Sequence, residues 1–561
     1  MSASDKKRLR REERLAALTE KQKQAQKEAK KLKVMTISFV AVLAVVVVIF
    51  GWMMIDSYLK VNGTLEKNTI AATVDGTDLN TIDFTYYYSD AIDNYYQSIS
   101  EAASQYSMDA KTYAQIFYQL DTEKSLAKQT NPETGDSWAN YFMEIALGNA
   151  KRDIAIYNKA MADESFDVNC EEVKNAVDYA SQDLMLYGYL YGDVDAYLRQ
   201  VYCNGAGEES YLEYHRRNAI ASVYINKYMD ALDFTKEEID TYTKDRYNHF
   251  SAFNYNYYTI DYTSYLKSEE GTKDENGTLT YTKEQKDAAR NAARKDAEML
   301  AQCNSVEAFN LAIANLSFNK DLETPATSSA YTDVLYTSLK EEYRNWMADP
   351  ERKANDMKVF PIESTETDAN GNETKVANSY NVFIYLSTNE NLKQHGNVRH
   401  LLVQFEQTLD ETTGQYKVTD DAKKAAKEEA DKLYADWKAA GATKDAFIAL
   451  IEEHSDDPGK AENKGLYENI HPSSQYLDPF LKWAIDEKRV VGDHEIVETS
   501  DGYHIMYFEG YSAETYRDYL VNTSMVNDEM KQWYASIVDV AEAKLNNTSR
   551  VKTGRSLASN S

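Results

Sequence analysis

Apolar and polar positions divide the chain into stretches of different period. Residues 34–55 are continuously apolar and carry no charged side chain, with Val42-Leu43-Ala44-Val45-Val46-Val47-Val48-Ile49-Phe50 at the centre. That length matches the roughly 20 residues a helix needs to cross a bilayer. From about residue 66 the period changes. A short strand, Ile70-Ala71-Ala72-Thr73-Val74, turns at Asp75-Gly76, and Thr81 is placed to cap a helix that begins near Ile82. Helical spacing then recurs over 84–99, 138–161, 170–186 and 211–232. It returns over 514–545, where Tyr516, Tyr519, Leu520, Met525, Met530, Trp533, Ile537 and Val540 mark an apolar stripe. Residues 548–561 are small and polar, and disorder is expected there.

Between these helical stretches one pattern occurs twice. Phe309 and Phe447 can be set in register, and eight residues later stand Ser317 and Ser455. An Ala-, Lys- and Glu-rich helix precedes each phenylalanine, over 282–302 and 419–440. Trp346-x-x-Asp349-x-x-Arg352-x-x-Asn355-Asp356 matches Trp483-x-x-Asp486-x-x-Arg489-x-x-Gly492-Asp493. Each copy closes on a strand, Tyr380 to Tyr385 and Tyr503 to Phe508. The copies diverge at polar positions: His504 falls on Asn381 and Asp457 on Asn319. The opening strand of the first copy, 253–262, holds no histidine. One scaffold used twice, with chemistry in the second copy alone, is the simplest reading. The first copy is then structural or client-binding.

Charge sharpens the reading of the apolar run. Residues 1–33 hold 12 basic and 5 acidic side chains, whereas the chain beyond residue 55 holds 50 basic and 86 acidic ones. A basic leader before an apolar span predicts a cytoplasmic N-terminus and an acidic body on the far side of the cell membrane, in single-pass topology. A cleaved signal peptide would have an apolar region of about 7–15 residues and a small-residue cleavage site. Gly51-Trp52-Met53-Met54-Ile55 offers no such site, and Trp52 suits an interfacial anchor. So acidic a body disfavours nucleic acid as a partner. The 44 tyrosines against 17 phenylalanines predict aromatic side chains with one wet end, in shallow grooves or between helices.

Cys170, Cys203 and Cys303 are far apart and show no metal-binding spacing. A Cys170–Cys203 bridge is left open. No cysteine lies near the apolar run, which argues against a lipidated-cysteine anchor. The eight histidines form no HExxH or comparable ligand set, so neither metal nor cofactor is expected.

The second copy resembles a known family. Its residues run Val398-Arg399-His400-Leu401-Leu402-Val403, then His454-Ser455-Asp456-Asp457-Pro458-Gly459 and Gly465-Leu466-Tyr467. Gly492-Asp493, Val497-Glu498-Thr499 and Gly502-Tyr503-His504-Ile505 follow. This order resembles the parvulin family of peptidyl-prolyl cis/trans isomerases. Val74-Asp75-Gly76 ahead of an aromatic helix resembles the N-terminal chaperone region of SurA-like and PrsA-like foldases, in which a C-terminal segment returns to pack on the helical region. The resemblance implies that His400 and His504 are the paired histidines at the floor of the site. It implies that Thr499 hydrogen-bonds within that cluster and that Asp457 stands near the reacting amide. Leu466, Tyr476 and Phe480 would wall the proline pocket, Tyr476 replacing the usual methionine. Asn463-Lys464-Gly465-Leu466-Tyr467 departs from the usual two-glycine, acid, leucine, glycine run. Isomerases selective for phosphoserine-proline need basic side chains in the loop 404–418. Here Glu406, Asp410 and Glu411 face a single Lys417, so no phosphate preference is expected.

The expected architecture is α+β and multidomain. It comprises a basic leader (1–33), a transmembrane helix (34–55), a helical chaperone-like domain (56–247) and a degenerate parvulin-like domain (248–391). A parvulin-like isomerase domain (392–510), a C-terminal helix packing on the helical domain (511–547) and a disordered tail (548–561) complete it. The expected function is a membrane-anchored extracytoplasmic prolyl isomerase and foldase. Its partners would be unfolded or partly folded exported proteins, with homodimerisation left open. The alternative is a non-enzymatic holdase or envelope scaffold that uses parvulin folds as binding surfaces.

Overall fold

In the computed structural model, residues 3–557 are described apart from 274–276, 368–370, 372, 410–415 and 553–556. The chain forms two compact units, 1–232 with 529–561, and 233–528. Helix and sheet are mixed throughout.

The first unit begins with helix α1, Ala3–Val61. The basic leader and the apolar run are one continuous helix, because the residues up to Phe50 include neither glycine nor proline. Among the described residues α1 alone is long and apolar enough to cross a membrane, with a mean hydropathy of 2.9 in its most apolar window. Strands β1 (Ile70–Val74) and β2 (Thr77–Asn80) form a hairpin. Asp75 and Gly76 at its turn both have positive φ, as a two-residue turn with the right twist requires. Helix α2 (Thr81–Gln105) is capped by Asn80, whose side chain accepts hydrogen bonds from the N–H groups of Ile82 and Asp83. Thr81, the expected cap, is already helical and donates its own N–H to the Thr69 carbonyl.

Helices α3 (Ala110–Tyr118), α4 (Trp138–Ala162), α5 (Glu171–Tyr191), α6 (Val194–Val201) and α7 (Glu208–Asp230) follow. The core they enclose holds Phe84, Tyr86, Tyr87, Tyr88, Trp138 and Phe142, all nearly inaccessible. These tyrosines have no wet end, in contrast to the reading from composition. Two of the hydroxyls are satisfied internally instead: Tyr86 Oη pairs with Ser210 Oγ at 2.8 Å, and Tyr87 donates to Asn218 Oδ1 at 3.3 Å.

The stretch read as helical over 514–545 is a helix, Tyr516–Tyr534, then a π-helical turn, Ala535–Asp539, then a strand, Ala543–Leu545. That strand pairs antiparallel with β1, Ala72 opposite Leu545. The free edge of β1 overrides local helical period there. Of the tail expected to be disordered, residues 553–556 and 558–561 lie outside the described residues. Among the described tail residues, Val551 and Leu557 are buried in this core. All three cysteines are free, so Cys170 and Cys203 are not bridged. Burial pushes the Cys203 thiol up to about 11.

The second unit holds two four-stranded antiparallel sheets of the same topology. The first contains β3 (Ala252–Asp261), β4 (Ser329–Leu335), β5 (Met357–Thr367) and β6 (Glu373–Asn389), in spatial order β4-β3-β6-β5. The second contains β7 (Gln394–Gln404), β8 (Leu466–Ile470), β9 (His494–Glu498) and β10 (Gly502–Thr515), in spatial order β8-β7-β10-β9. In each, the first and last strands are the central pair. Helices α8 (Lys283–Leu300), α9 (Val306–Ala314) and α10 (Glu341–Met347) belong to the first sheet. Helices α11 (Asp420–Ala439), α12 (Lys444–His454) and α13 (Asp478–Ala484) are their counterparts in the second.

The repeated residues occupy equivalent places. Phe309 and Phe447 are both fully buried beneath their sheets. Arg352 donates from Nε to the Trp346 carbonyl at 3.0 Å, with its guanidinium 4.5 Å from the indole centre. Arg489 does the same on Trp483, at 3.3 Å and 4.1 Å. The spacing Trp-x5-Arg thus encodes one tight turn closed by a stacked cation, built twice.

Candidate active site

The second sheet positions the polar cluster. Side chains alternate along β7, so Leu401 and Val403 face α11 and α12 while Val398 and His400 face the other way. On β10, Tyr503, Ile505 and Tyr507 face the helices, leaving His504, Met506 and Phe508 on the opposite face. In the antiparallel register His504 lies opposite Leu402 and His400 opposite Met506. The two histidines are therefore diagonal neighbours on one face, within reach of each other.

Asp457 arrives from the loop after α12, which is stitched to the edge of β7 beyond the end of β8. Leu402 N–H donates to Ser455 Oγ at 3.0 Å, Asp456 N–H to the Leu402 carbonyl at 2.8 Å, and Gln404 N–H to Asp456 Oδ2 at 2.9 Å. Ser455 and Asp456 thus fix the loop, and Asp457 is aimed inward. Its Oδ2 lies 2.7 Å from His400 Nε2 and accepts a hydrogen bond from Tyr467 Oη at 2.8 Å. Its Oδ1 accepts from Gly459 N–H at 2.8 Å.

These contacts form one continuous chain. His400 Nδ1 and His504 Nδ1 are 3.0 Å apart, and His504 Nε2 is 3.0 Å from Thr499 Oγ1. Asp501 N–H donates to Thr499 Oγ1 at 3.2 Å. One direction of donation that satisfies every member runs from Thr499 to Asp457. Thr499 donates to His504 Nε2, His504 Nδ1–H to His400 Nδ1, and His400 Nε2–H to the Asp457 carboxylate. All four side chains are buried. The His400 hydrogen bond, aided by Gly459 and Tyr467, holds the Asp457 carboxyl well below the usual carboxylate range despite burial. Burial, and then the neighbouring His400, push the His504 imidazole down to about 3.

Aromatic rings wall the cluster. Phe480 is edge-on to both imidazoles, with centroids 5.2 Å from His400 and 5.4 Å from His504. Tyr476 lies 5.2 Å from Phe480 and Tyr467 lies 5.0 Å from His400. Leu466, expected in this wall, is half-buried and lies outside the apolar cluster that holds Phe480, Tyr476 and Tyr467. The strand period is the reason: Tyr467 faces the site, so its neighbour on β8 faces away. Sequence reasoning missed Tyr467 as a site residue, although a tyrosine ten residues after Asp457 was in view.

The altered loop before β8 is accommodated by backbone conformation. Lys464 and Gly465 both adopt the left-handed region, at φ 53° and 73°. A side chain on Gly465 would come within 2.6 Å of the His400 carbonyl oxygen. Glycine is therefore needed at 465 for close approach, whereas Lys464 bears the strain that a second glycine would avoid.

Residues 400–510 match the rotamase family, described as a PPIC-type PPIase domain. The segment is a parvulin-type isomerase domain. Three solved structures of PrsA, two of them described as peptidylprolyl isomerases, are similar to part of the chain. The Bacillus cereus structure is 22% identical over 30% of this chain and 58% of its own, with a TM-score of 0.17. The Bacillus anthracis structure is 19% identical over 28% and 64%, at 0.16. The Bacillus subtilis structure is 21% identical over 29% and 56%, at 0.17. The chain thus spans less than two thirds of each of those structures. No curated protein matches it.

The parvulin-type domain has a counterpart in the first sheet that lacks its chemistry. Asn381 pairs with Thr259 as His504 pairs with Leu402, which places Tyr257 where the domain has His400. Asn381 donates to Tyr343 Oη at 3.0 Å and accepts from Thr259 Oγ1 at 2.6 Å. Asn319, in the place of Asp457, donates to the Ile313 carbonyl and to Tyr258 Oη, each at 2.9 Å. These polar groups are spent on internal hydrogen bonds, and stacked tyrosines fill the remaining space: Tyr257 lies 5.0 Å from Phe383 and 5.4 Å from Tyr331.

Proposed function

We propose that the chain is a membrane-anchored extracytoplasmic foldase whose second copy isomerises prolyl bonds in exported proteins. The observation that carries the reading is the unbroken chain Asp457–His400–His504–Thr499 beneath the Phe480 ring.

The chemistry follows from the amide. The barrier of about 18–20 kcal/mol to rotation arises from double-bond character in the C–N bond. A catalyst must bind the twisted amide better than the planar one. Twisting localises the nitrogen lone pair and reduces negative charge on the carbonyl oxygen. An apolar wall of Phe480, Tyr476 and Tyr467 strips water from that oxygen and grips the proline ring. The anionic Asp457 at the base of the cluster disfavours the planar, charge-separated form further. Mutually fixed imidazoles keep the floor of the site rigid. Asp457, His400, His504 and Thr499 form the catalytic cluster in this reading, with no metal or cofactor.

The single long apolar helix and the charge asymmetry around it support membrane anchoring with the acidic body outside. The helical unit and the first copy would cradle unfolded or partly folded clients. A holdase or scaffold without isomerase activity is the second reading, favoured by Tyr476, which stands where the resembling family has methionine and packs 5.2 Å from Phe480. Cis-to-trans isomerisation of a short Ala-Pro peptide by the full chain in detergent separates them. Catalysis that His504→Ala abolishes supports the enzyme, and the uncatalysed rate from folded protein leaves the holdase.

A further inference from the structure

Arg399 stands one position before His400 on β7, so strand alternation sends its side chain to the opposite face of the sheet. It is only 8% exposed. Its Nε pairs with one carboxylate oxygen of Glu509 on β10, and Lys444 at the start of α12 pairs with the other. Its Nη1 donates to the Lys464 carbonyl at 2.7 Å and reaches the Asn463 carbonyl at 3.5 Å. A buried guanidinium thus grips the turn before β8 by its backbone. The planar fork suits that task, since it meets a carboxylate and neighbouring carbonyls at once.

That turn needs holding. Lys464 is left-handed, a conformation that a lysine keeps only where its surroundings impose it. The Gly465 N–H donates to Asn463 Oδ1 at 2.7 Å, and the His400 N–H donates to the Gly465 carbonyl at 3.0 Å. Two residues further, Tyr467 lies opposite Val398 and its hydroxyl donates to Asp457 Oδ2. Asp457 and Tyr467 are therefore the two ends of one short loop, built from a single helical turn, Lys460–Asn463, and the left-handed pair. Burial, and then Asp457, push the Tyr467 hydroxyl up to about 12, so the phenol stays protonated and donates. Tyr467 closes the run in which the resembling family ends on glycine, so this hydroxyl is a feature of the present chain. The path of the backbone at 463–465 sets where it lands, and Arg399 sets that path.

We propose, on the reading of the second copy as a prolyl isomerase, that Arg399 is a positioning residue for its site. The grip on the Asn463 and Lys464 carbonyls places Tyr467 so that its phenol holds the Asp457 carboxylate against His400.

The test is a double-mutant cycle on the full chain in detergent, read as kcat/KM for the Ala-Pro peptide. Arg399→Met and Tyr467→Phe are each expected to lower it about tenfold, as small misplacements in a site do. The double variant should lose no more than either single one, because both changes act through the same phenol. Arg399→Lys keeps the charge, loses the fork and should behave as Arg399→Met; its cycle decides if Arg399→Met does not fold by circular dichroism. Limited trypsin digestion reads the turn without catalysis. Cleavage after Lys464 should be about tenfold faster in Arg399→Met than in wild type, since the turn opens more often, with cleavage elsewhere unchanged. An undiminished rate in Arg399→Met, losses that multiply in the double variant, or wild-type cleavage after Lys464 each overturn the proposal and leave the isomerase reading standing. The uncatalysed rate from folded wild-type chain removes that reading, and the proposal with it.

Discussion

His400 and His504 meet Nδ1 to Nδ1 at 3.0 Å, on adjacent strands and 104 positions apart in sequence. Each ring fixes the other's tautomer, and Asp457 and Thr499 fix the two outer nitrogens. Replacing either histidine by alanine therefore does more than remove one group. His504→Ala leaves His400 Nδ1 without its buried partner and removes one contact of the Thr499 hydroxyl, at a cost of about 1–3 kcal/mol for the unsatisfied atom. Urea denaturation is expected to show that loss together with abolished Ala-Pro isomerisation. An undiminished rate in His504→Ala would remove the cluster from the mechanism.

Stability should fall on acidification, with a recognisable share from His504. Its folded imidazole is pushed down to about 3, whereas the unfolded one titrates near about 6.5. Between those values the unfolded chain binds the extra proton, so stability rises with pH. The contribution is complete above about pH 6.5 and is lost as pH falls toward 3, with a limiting slope of about 1.4 kcal/mol per pH unit. Asp457, whose folded carboxyl is lowered, acts in the same direction below about pH 4. His471, pushed down to about 4 by burial and His395, adds to the slope. The difference between wild type and His504→Asn is the readout: urea titrations from pH 7 to pH 4.5 should show a shallower dependence in the variant. Parallel profiles would contradict the assignment of a buried neutral imidazole.

The loop before β8 invites two opposite substitutions. Lys464→Gly relieves a left-handed lysine and should stabilise the domain by about 0.5–1 kcal/mol, the Lys464–Glu452 surface pair contributing little. Gly465→Ala puts a methyl group 2.6 Å from the His400 carbonyl and should destabilise while lowering activity. Thermal melts of both variants check the pair. A Lys464→Gly variant less stable than wild type would show that the lysine does more than strain the backbone.

Asn381 gives the complementary control in the first copy. Asn381→Ala should cost about 1–3 kcal/mol, because Tyr343 and Thr259 lose a buried partner. Its isomerase rate should equal that of wild type. A fall in rate measured on folded protein would assign catalysis to both copies.

Phosphorylation of the residue before proline should not help. Glu406 and Lys417 are the described charges of the loop after β7, and Asp410 and Glu411 lie outside the described residues. A phosphoserine-proline peptide is expected to turn over no faster than its glutamate or alanine counterpart in the same assay. A several-fold preference for phosphate would require basic groups elsewhere around the site.

Much of this protein is legible where chemistry is written in consecutive or evenly spaced residues. The apolar run, the Trp-x5-Arg turns and the doubled pattern around Phe309 and Phe447 are local, and local sequence carries them. His400, Asp457, Thr499 and His504 were found together through resemblance and are brought together by the β7–β10 register. Tyr467 was overlooked because its role depends on which face of β8 it occupies, a one-residue matter that alternation alone leaves ambiguous beside Leu466. Asn80 rather than Thr81 caps α2 because the choice between neighbouring capping residues rests on the backbone angles at the end of a hairpin.

By itself the sequence determined the apolar helix, the acidic body, the repeat and the residue types available for a prolyl-isomerase site. Tertiary structure decided the rest. It turned a helical-looking C-terminal stretch into a strand because β1 had an unpaired edge, and it buried Val551 and Leu557 because the helical core offered apolar surface to cover. It also set two distant imidazoles nitrogen to nitrogen. Pairing edges, cavities and diagonal contacts are properties of segments far apart in the chain, and no window of residues contains the energy that selects them.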